Sequence, residues 1–173
     1  MPIYTKTGDW GETSVGKKRC PKDCPEAEVI GETDELASLL GVIAAELDDS
    51  SDLERITSDI FSLNAHIMSE GEYSFNGDPA WLEERIDKLW TEAGELNHFV
   101  LRFTDPTAAK IHYARAVCRR AERRLTTFAK DKEWLDERAR AYVNRLSDYL
   151  FALARWINRK HGGKEVGWIS GRT

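Results

Sequence analysis

The strongest constraint on this chain is the recurrence of apolar residues three and four positions apart, segment after segment, between short polar breaks. Val29, Thr33, Leu36, Leu40, Ile43 and Leu47 keep that spacing behind Pro25, a residue suited to a first helical turn. They predict a first helix. A second is predicted from about Asp52 to Ser69, with Leu53, Ile56, Ile60, Leu63 and Ile67 on one face and Asp49-Ser50-Ser51 as a capping cluster. A third starts near Pro79 and carries Leu82, Ile86, Leu89 and Trp90 before the chain turns around Asn97 and His98. The fourth opens with Asp105 as cap and Pro106 as first-turn residue and runs to about Ala129; the fifth spans Trp134 to Lys160 and stops at Gly162-Gly163. No segment alternates as a strand and no internal repeat is present. The expectation is an all-α fold, a single domain built as an up-and-down five-helix bundle over 25–162, with a polar N-terminal loop at 1–24 and a C-terminal tail at 163–173.

At 173 residues the chain can bury a proper core. Its formal net charge of −5 mixes both signs, so no bulk field draws it to nucleic acid or acidic lipid, and any anion site must be local. No apolar run reaches the length of a membrane span, and no charged-then-apolar leader is present; a cytoplasmic protein is expected. Cys20, Cys24 and Cys118 make an odd count, which argues against a disulfide framework and for free thiols. A zinc clip at Cys20 and Cys24 lacks a matching pair among His66, His98, His112 and His161. Glu95 and His98 spell the Glu-x-x-His of di-iron bundles, but only one copy exists.

Three stretches carry chemistry. The first helix has a second face of Ile30, Asp34, Ala37, Gly41 and Ala45, small or apolar rather than charged. Such a helix is covered on both sides, by the core and by a neighbour, in which case Asp34 needs a cationic partner; a solvated Asp34 is the alternative. In the fourth helix, Arg115, Arg119, Glu122 and Arg123 line one side next to the apolar stripe of Ile111, Cys118 and Leu125. That line is either a polyanion site or a solvated basic face closed by Glu–Arg pairs. In the fifth, Asn144 sits in mid-helix, where it serves a ligand or an adjacent helix end. The opening stretch YTKTGDWGETS adds Gly8 and Gly11, the hydroxyls of Thr5, Thr7, Thr13 and Ser14, and the charge of Lys6 and, further on, Lys22. These are parts of a phosphate cradle, without the spacing of a Walker loop.

Together YTKTGDWGET, GETDELASLLG, CRRAERR and NRLSDYLFALAR resemble, in order and spacing, the PduO-type ATP:cob(I)alamin (corrinoid) adenosyltransferases, a family that includes the human mitochondrial enzyme. The resemblance implies a homotrimer with active sites between subunits. It implies transfer of the 5′-deoxyadenosyl group of ATP to the cobalt of cob(I)alamin, giving adenosylcobalamin and triphosphate. Thr5, Lys6, Thr7, Gly8, Thr13 and Lys22 would cradle the triphosphate with its Mg²⁺, with no metal ligand from protein side chains. Arg119, Glu122, Arg123 and Asn144 would complete the ATP site from a neighbouring subunit, and Asp34 and Arg115 would pair across the interface. Phe99 would cover the lower face of the corrin and keep cobalt free of its lower ligand. Partners implied are a flavin or other reductase and an adenosylcobalamin-dependent enzyme that takes the product. After Phe99 the chain reads Val100-Leu101-Arg102-Phe103-Thr104 and departs from the family at Arg102-Phe103-Thr104, where most relatives carry a Pro-Gly-Gly turn. That departure leaves open a second reading, a bundle that stores or delivers cofactor with little turnover.

Overall fold

Five buried stripes meet in one core. A computed structural model describes residues 3–168; 169–173 of the expected tail lie outside the described residues. The helices are α1 (Pro25–Ala44), α2 (Ser51–Met68), α3 (Pro79–Ala93), α4 (Pro106–Phe128) and α5 (Glu137–Lys160). Val29, Leu36, Leu40 and Ile43 of α1 face Leu53, Ile56, Ile60, Leu63 and Ile67 of α2, with Ile111, Val117 and Leu125 of α4 and Leu146, Leu150 and Ile157 of α5 closing the interior. Thr33, the polar member of the α1 stripe, is satisfied there, its hydroxyl lying 3.0 Å from the Val29 carbonyl and 2.7 Å from Asn64 Oδ1.

Side-chain pairs give the helix directions. Arg120 reaches Glu32 while Arg124 reaches Glu28, so α4 runs antiparallel to α1; Asp59 meets Tyr142 while Asp52 meets Tyr149, so α2 runs antiparallel to α5. Glu83 meets Arg145 and Glu92 meets Trp156, so α3 and α5 are parallel. The order is up-down-up-down-up, as the periodicity predicts. Among the described residues no helix is long and apolar enough to cross a membrane.

Helix ends follow capping chemistry. Asp105 Oδ1 accepts from the Ala108 N–H at 2.8 Å, and Asp78 and Asp136 cap α3 and α5 in the same way. Two boundaries differ from expectation. Leu47 lies in the turn after α1, where its N–H bonds the Ala44 carbonyl, yet it still packs on the core. Trp134 lies in the tight turn before α5, its ring edge-on to His66 and Phe128.

The fold is mostly helical rather than all-α. Two antiparallel two-stranded sheets accompany the helices: β1 (Glu12–Val15) with β2 (Lys18–Pro21), and β3 (Val100–Phe103) with β4 (Glu165–Gly167). The first hairpin turns through Gly16-Lys17, and Gly16 has φ 58°. A Cβ there would lie 2.0 Å from the Met68 carbonyl oxygen, so the turn rests directly on the end of α2. Lys18–Glu70 and Lys17–Glu72 ion pairs flank the contact. Periodicity misses these strands because each has three or four residues and is held by backbone pairing, not by a buried face. The expectation of free thiols at Cys20 and Cys24 is also corrected. A turn closed by the Cys24 N–H on the Pro21 carbonyl brings their Cα atoms to 6.2 Å, and the two sulfurs are bonded. Cys118 remains a free, buried thiol, its Sγ 3.4 Å from the Val143 carbonyl oxygen.

Candidate functional site

The opening loop is built to expose its donors. Arg19, opposite Ser14 in the first hairpin, donates to the Thr7 carbonyl at 2.8 Å and to Glu12 at 3.1 Å, which ties the loop back onto β1. Thr5 Oγ1 and Thr7 Oγ1 lie 2.8 Å apart, and the Gly11 N–H reaches the Gly8 carbonyl. Lys6 adopts a φ of 60°, unusual for a residue with a Cβ. Lys22 folds over the loop: a Cβ on Gly8 would lie 3.6 Å from its Nζ. Thr5, Lys6, Thr7 and Lys22 are exposed, while Gly8 and Thr13 are half-buried. The disulfide at Cys20 and Cys24 brackets Lys22, so the segment that carries this ammonium is closed at both ends. Sequence reasoning missed Arg19, because its role appears only once the hairpin register is known.

The arginines of α4 divide by face. Arg120 binds Glu32 and Glu35, and Arg124 binds Glu28, so these two cations tie α4 to α1. Arg115, Arg119 and Arg123 have no acidic partner among the described residues; Arg115 is half-buried with its guanidinium over the Phe151 ring, 5.4 Å from the centroid. Burial and the neighbouring Arg119 hold the Arg115 pKa below its ordinary value. Three cations along one side, without an acidic partner among the described residues, have the charge to receive a multiply charged anion. Glu122 is half-buried beside them, and Asn144 of α5 is exposed. Next to Arg115, His112 packs edge-on against Phe103, and its buried Nδ1 has no partner among the described residues. Burial first, and Arg115 second, push the His112 pKa down.

Asp34 is exposed and carries no ion pair among the described residues, although Glu26, Glu28, Glu32 and Glu35 of the same helix are all paired. Beside it Gly41 is open: a Cβ there would meet nothing within 4 Å. Phe99 stands between α3 and β3 with 80% of its surface exposed. Glu95 and His98 lie beyond the end of α3, so the Glu-x-x-His spacing is not held on a helix. No group of three or more His, Cys, Asp or Glu among the described residues could hold a metal.

Within one chain these parts are not brought together. The loop precedes α1 and leans on the end of α2, whereas Phe99 follows α3 and precedes α4, at the opposite end of the bundle. Between them runs the length of α4, about 35 Å for a helix of this size.

Comparison with known proteins places the chain. The family model described as cobalamin adenosyltransferase matches residues 3–157. A corrinoid adenosyltransferase of Bacillus subtilis is 36% identical over 96% of this chain and 91% of its own length. A cobalamin adenosyltransferase of Cupriavidus metallidurans is 38% identical over 96% of this chain and 93% of its own. Among solved structures, a variant of the PduO-type ATP:corrinoid adenosyltransferase from Lactobacillus reuteri, complexed with cobalamin and ATP, superposes with a TM-score of 0.90 at 28% identity, covering 98% of this chain and all of that one.

Proposed function

The chain belongs to the cobalamin adenosyltransferase family, and on that ground we propose that it moves the 5′-deoxyadenosyl group of ATP onto the cobalt of cob(I)alamin. The cobalt of the substrate supplies the electron pair that attacks the ribose C5′; the C5′–O bond breaks, and triphosphate leaves with its electrons. The protein needs no nucleophile of its own. Its task is to hold two substrates in line and to stabilise the charge that gathers on the leaving polyphosphate.

The single observation that carries this reading is the division of the α4 arginines: Arg120 and Arg124 are neutralised by α1, and Arg115, Arg119 and Arg123 have no acidic partner among the described residues. Lys6 and Lys22, with the Thr5, Thr7 and Thr13 hydroxyls and the Gly8 backbone, supply the donors for the triphosphate, and Mg²⁺ rides on its oxygens. Arg119, Glu122, Arg123 and Asn144 complete the ATP site from another copy.

A site that uses both the loop and Phe99 must span the bundle or draw on two chains. Two chains fit better, since ATP and corrin in reaction contact cannot cover the length of α4. The site is therefore assigned to the contact between copies; the resemblance to the family makes the assembly a homotrimer and pairs Asp34 of one copy with Arg115 of the next, which would cover the small-residue face of α1. The product passes to an adenosylcobalamin-dependent enzyme, and a flavin or other reductase supplies the electrons.

The test is anaerobic. Chemically reduced cob(I)alamin, MgATP and purified protein should yield a light-sensitive Co–C product and triphosphate in equal amounts. ATP binding without Co–C formation would overturn the assignment and leave a binding bundle.

A further inference from the structure

Phe99 is exposed, yet the segment that carries it is anchored on both sides, and both anchors lead to one buried cation. Arg155 of α5 is 1% exposed. Its Nη2 donates to the carbonyls of Gly94 and Glu95, each at 3.2 Å, which fixes the stretch ahead of Phe99. Its Nε donates to Glu165 Oε1 at 2.8 Å, and Glu165 opens β4, where it stands opposite Phe103 of β3. From there β4 holds the stretch that follows: Gly167 stands opposite Val100, and the Trp168 N–H bonds the Phe99 carbonyl at 2.8 Å.

The surroundings favour this arrangement over an accidental one. The guanidinium lies over the Trp90 ring, 4.5 Å from its centroid, so the cation is packed as well as paired. One turn further along α5, Arg159 Nη1 donates to the Ala93 carbonyl at 2.9 Å, and Gly94, with φ 80°, leaves room for it: a Cβ there would lie 2.5 Å from that nitrogen. Two cations thus answer the unpaired carbonyls at the end of α3. The Arg155 Nη1 atom is buried and has no partner among the described residues.

We propose that Arg155 is a positioning residue for Phe99, acting through Glu165 and the Gly94 and Glu95 carbonyls; this rests on the adenosyltransferase reading and on the role of Phe99 in it. Arg155 touches neither substrate. It sets the place of an aromatic ring that must stand against the corrin, and so affects the step in which cob(II)alamin loses its lower ligand before reduction. Lysine could keep the charge but not bridge three acceptors in one plane.

Glu165→Ala and Arg155→Lys test this beside Phe99→Ala; Glu165 is the milder site should the arginine variant fail to fold. Three readouts are taken on each: MgATP affinity, the ratio of transfer rates starting from cob(II)alamin and from chemically reduced cob(I)alamin, and the electron spin resonance of bound cob(II)alamin with MgATP. The expected result is unchanged ATP affinity, a fall of about tenfold or more in the rate ratio, and return of the lower-ligand nitrogen splitting, as a misplacement near 1 Å produces. Folded variants that keep the wild-type ratio and spectrum, while Phe99→Ala loses them, overturn the role of Arg155 alone. A Phe99→Ala protein that keeps both overturns the reading of Phe99, and the proposal with it.

Discussion

The phenol of Tyr142 donates a 2.9 Å hydrogen bond to Oδ2 of Asp59, and the two residues retain 1% and 7% of their surface. Burial raises the Asp59 pKa, and the Tyr142 bond only partly opposes it. The folded state therefore holds the Asp59 proton more tightly than the unfolded chain does. Its contribution to stability is complete below the ordinary value of 3.8 and is lost as pH rises through the raised one. Asp59→Asn should flatten that fall in urea midpoints taken from pH 4 to pH 7. Tyr142→Phe should cost about 1–3 kcal/mol, because it leaves a buried carboxylate without its donor. Equal slopes in wild type and Asp59→Asn would contradict the assignment.

His112 titrates in the opposite sense. Its pKa is depressed from 6.5 by burial and by Arg115, so its contribution is complete above that value and is lost as pH falls toward the lowered one. His112→Phe should remove that acid-side loss, since the ring already packs between Phe103 and Phe151 and its Nδ1 makes no bond. Melting temperatures at pH 5.5 and pH 7.5 should converge in the variant; an unchanged gap rules the group out.

Charge exchange tests the assembly. Asp34→Arg alone should reduce the proposed trimer to smaller species in sedimentation, and Asp34→Arg with Arg115→Asp should restore it. A single variant that sediments like wild type would remove this pair from the interface.

On α4 the two classes of arginine should separate in one experiment. Arg119→Ala should lower turnover by about a hundredfold to a thousandfold, as expected when a donor to a charged leaving group is lost. Arg120→Ala breaks only pairs to Glu32 and Glu35 and should leave turnover near wild type. Comparable losses in both would sink the distinction.

Thiol counting settles the cysteines. Unfolded, unreduced protein should show one reactive thiol, Cys118, and three after treatment with a dithiol. Three without reduction would place Cys20 and Cys24 back among free thiols.

The helices were legible because each needs a continuous stripe to enter the core, and Leu36, Ile60, Ile111 and Leu150 all lie on one. Pro79, Pro106 and Asp105 marked their starts for equally local reasons. The sheets were not legible. Phe103 and Glu165 pair across most of the second half of the chain, and no local pattern in either stretch announces the other. Cys20 and Cys24 meet only because the Pro21 turn folds back, which spacing does not reveal. Arg119 and Arg120 are neighbours of one chemistry, and only the packing of α1 against one side of α4 tells which is already neutralised.

The pairing of β3 with β4 also has a meaning for biosynthesis. Glu165 to Gly167 follow every helix of the bundle in the sequence, so β3 gains its partner strand only after all five helices have been synthesised. A product terminated ahead of Glu165 would carry the opening loop and the α4 arginines but not the strand that pairs beside Phe99. Such a product would lack the backbone pairing that holds the segment around Phe99.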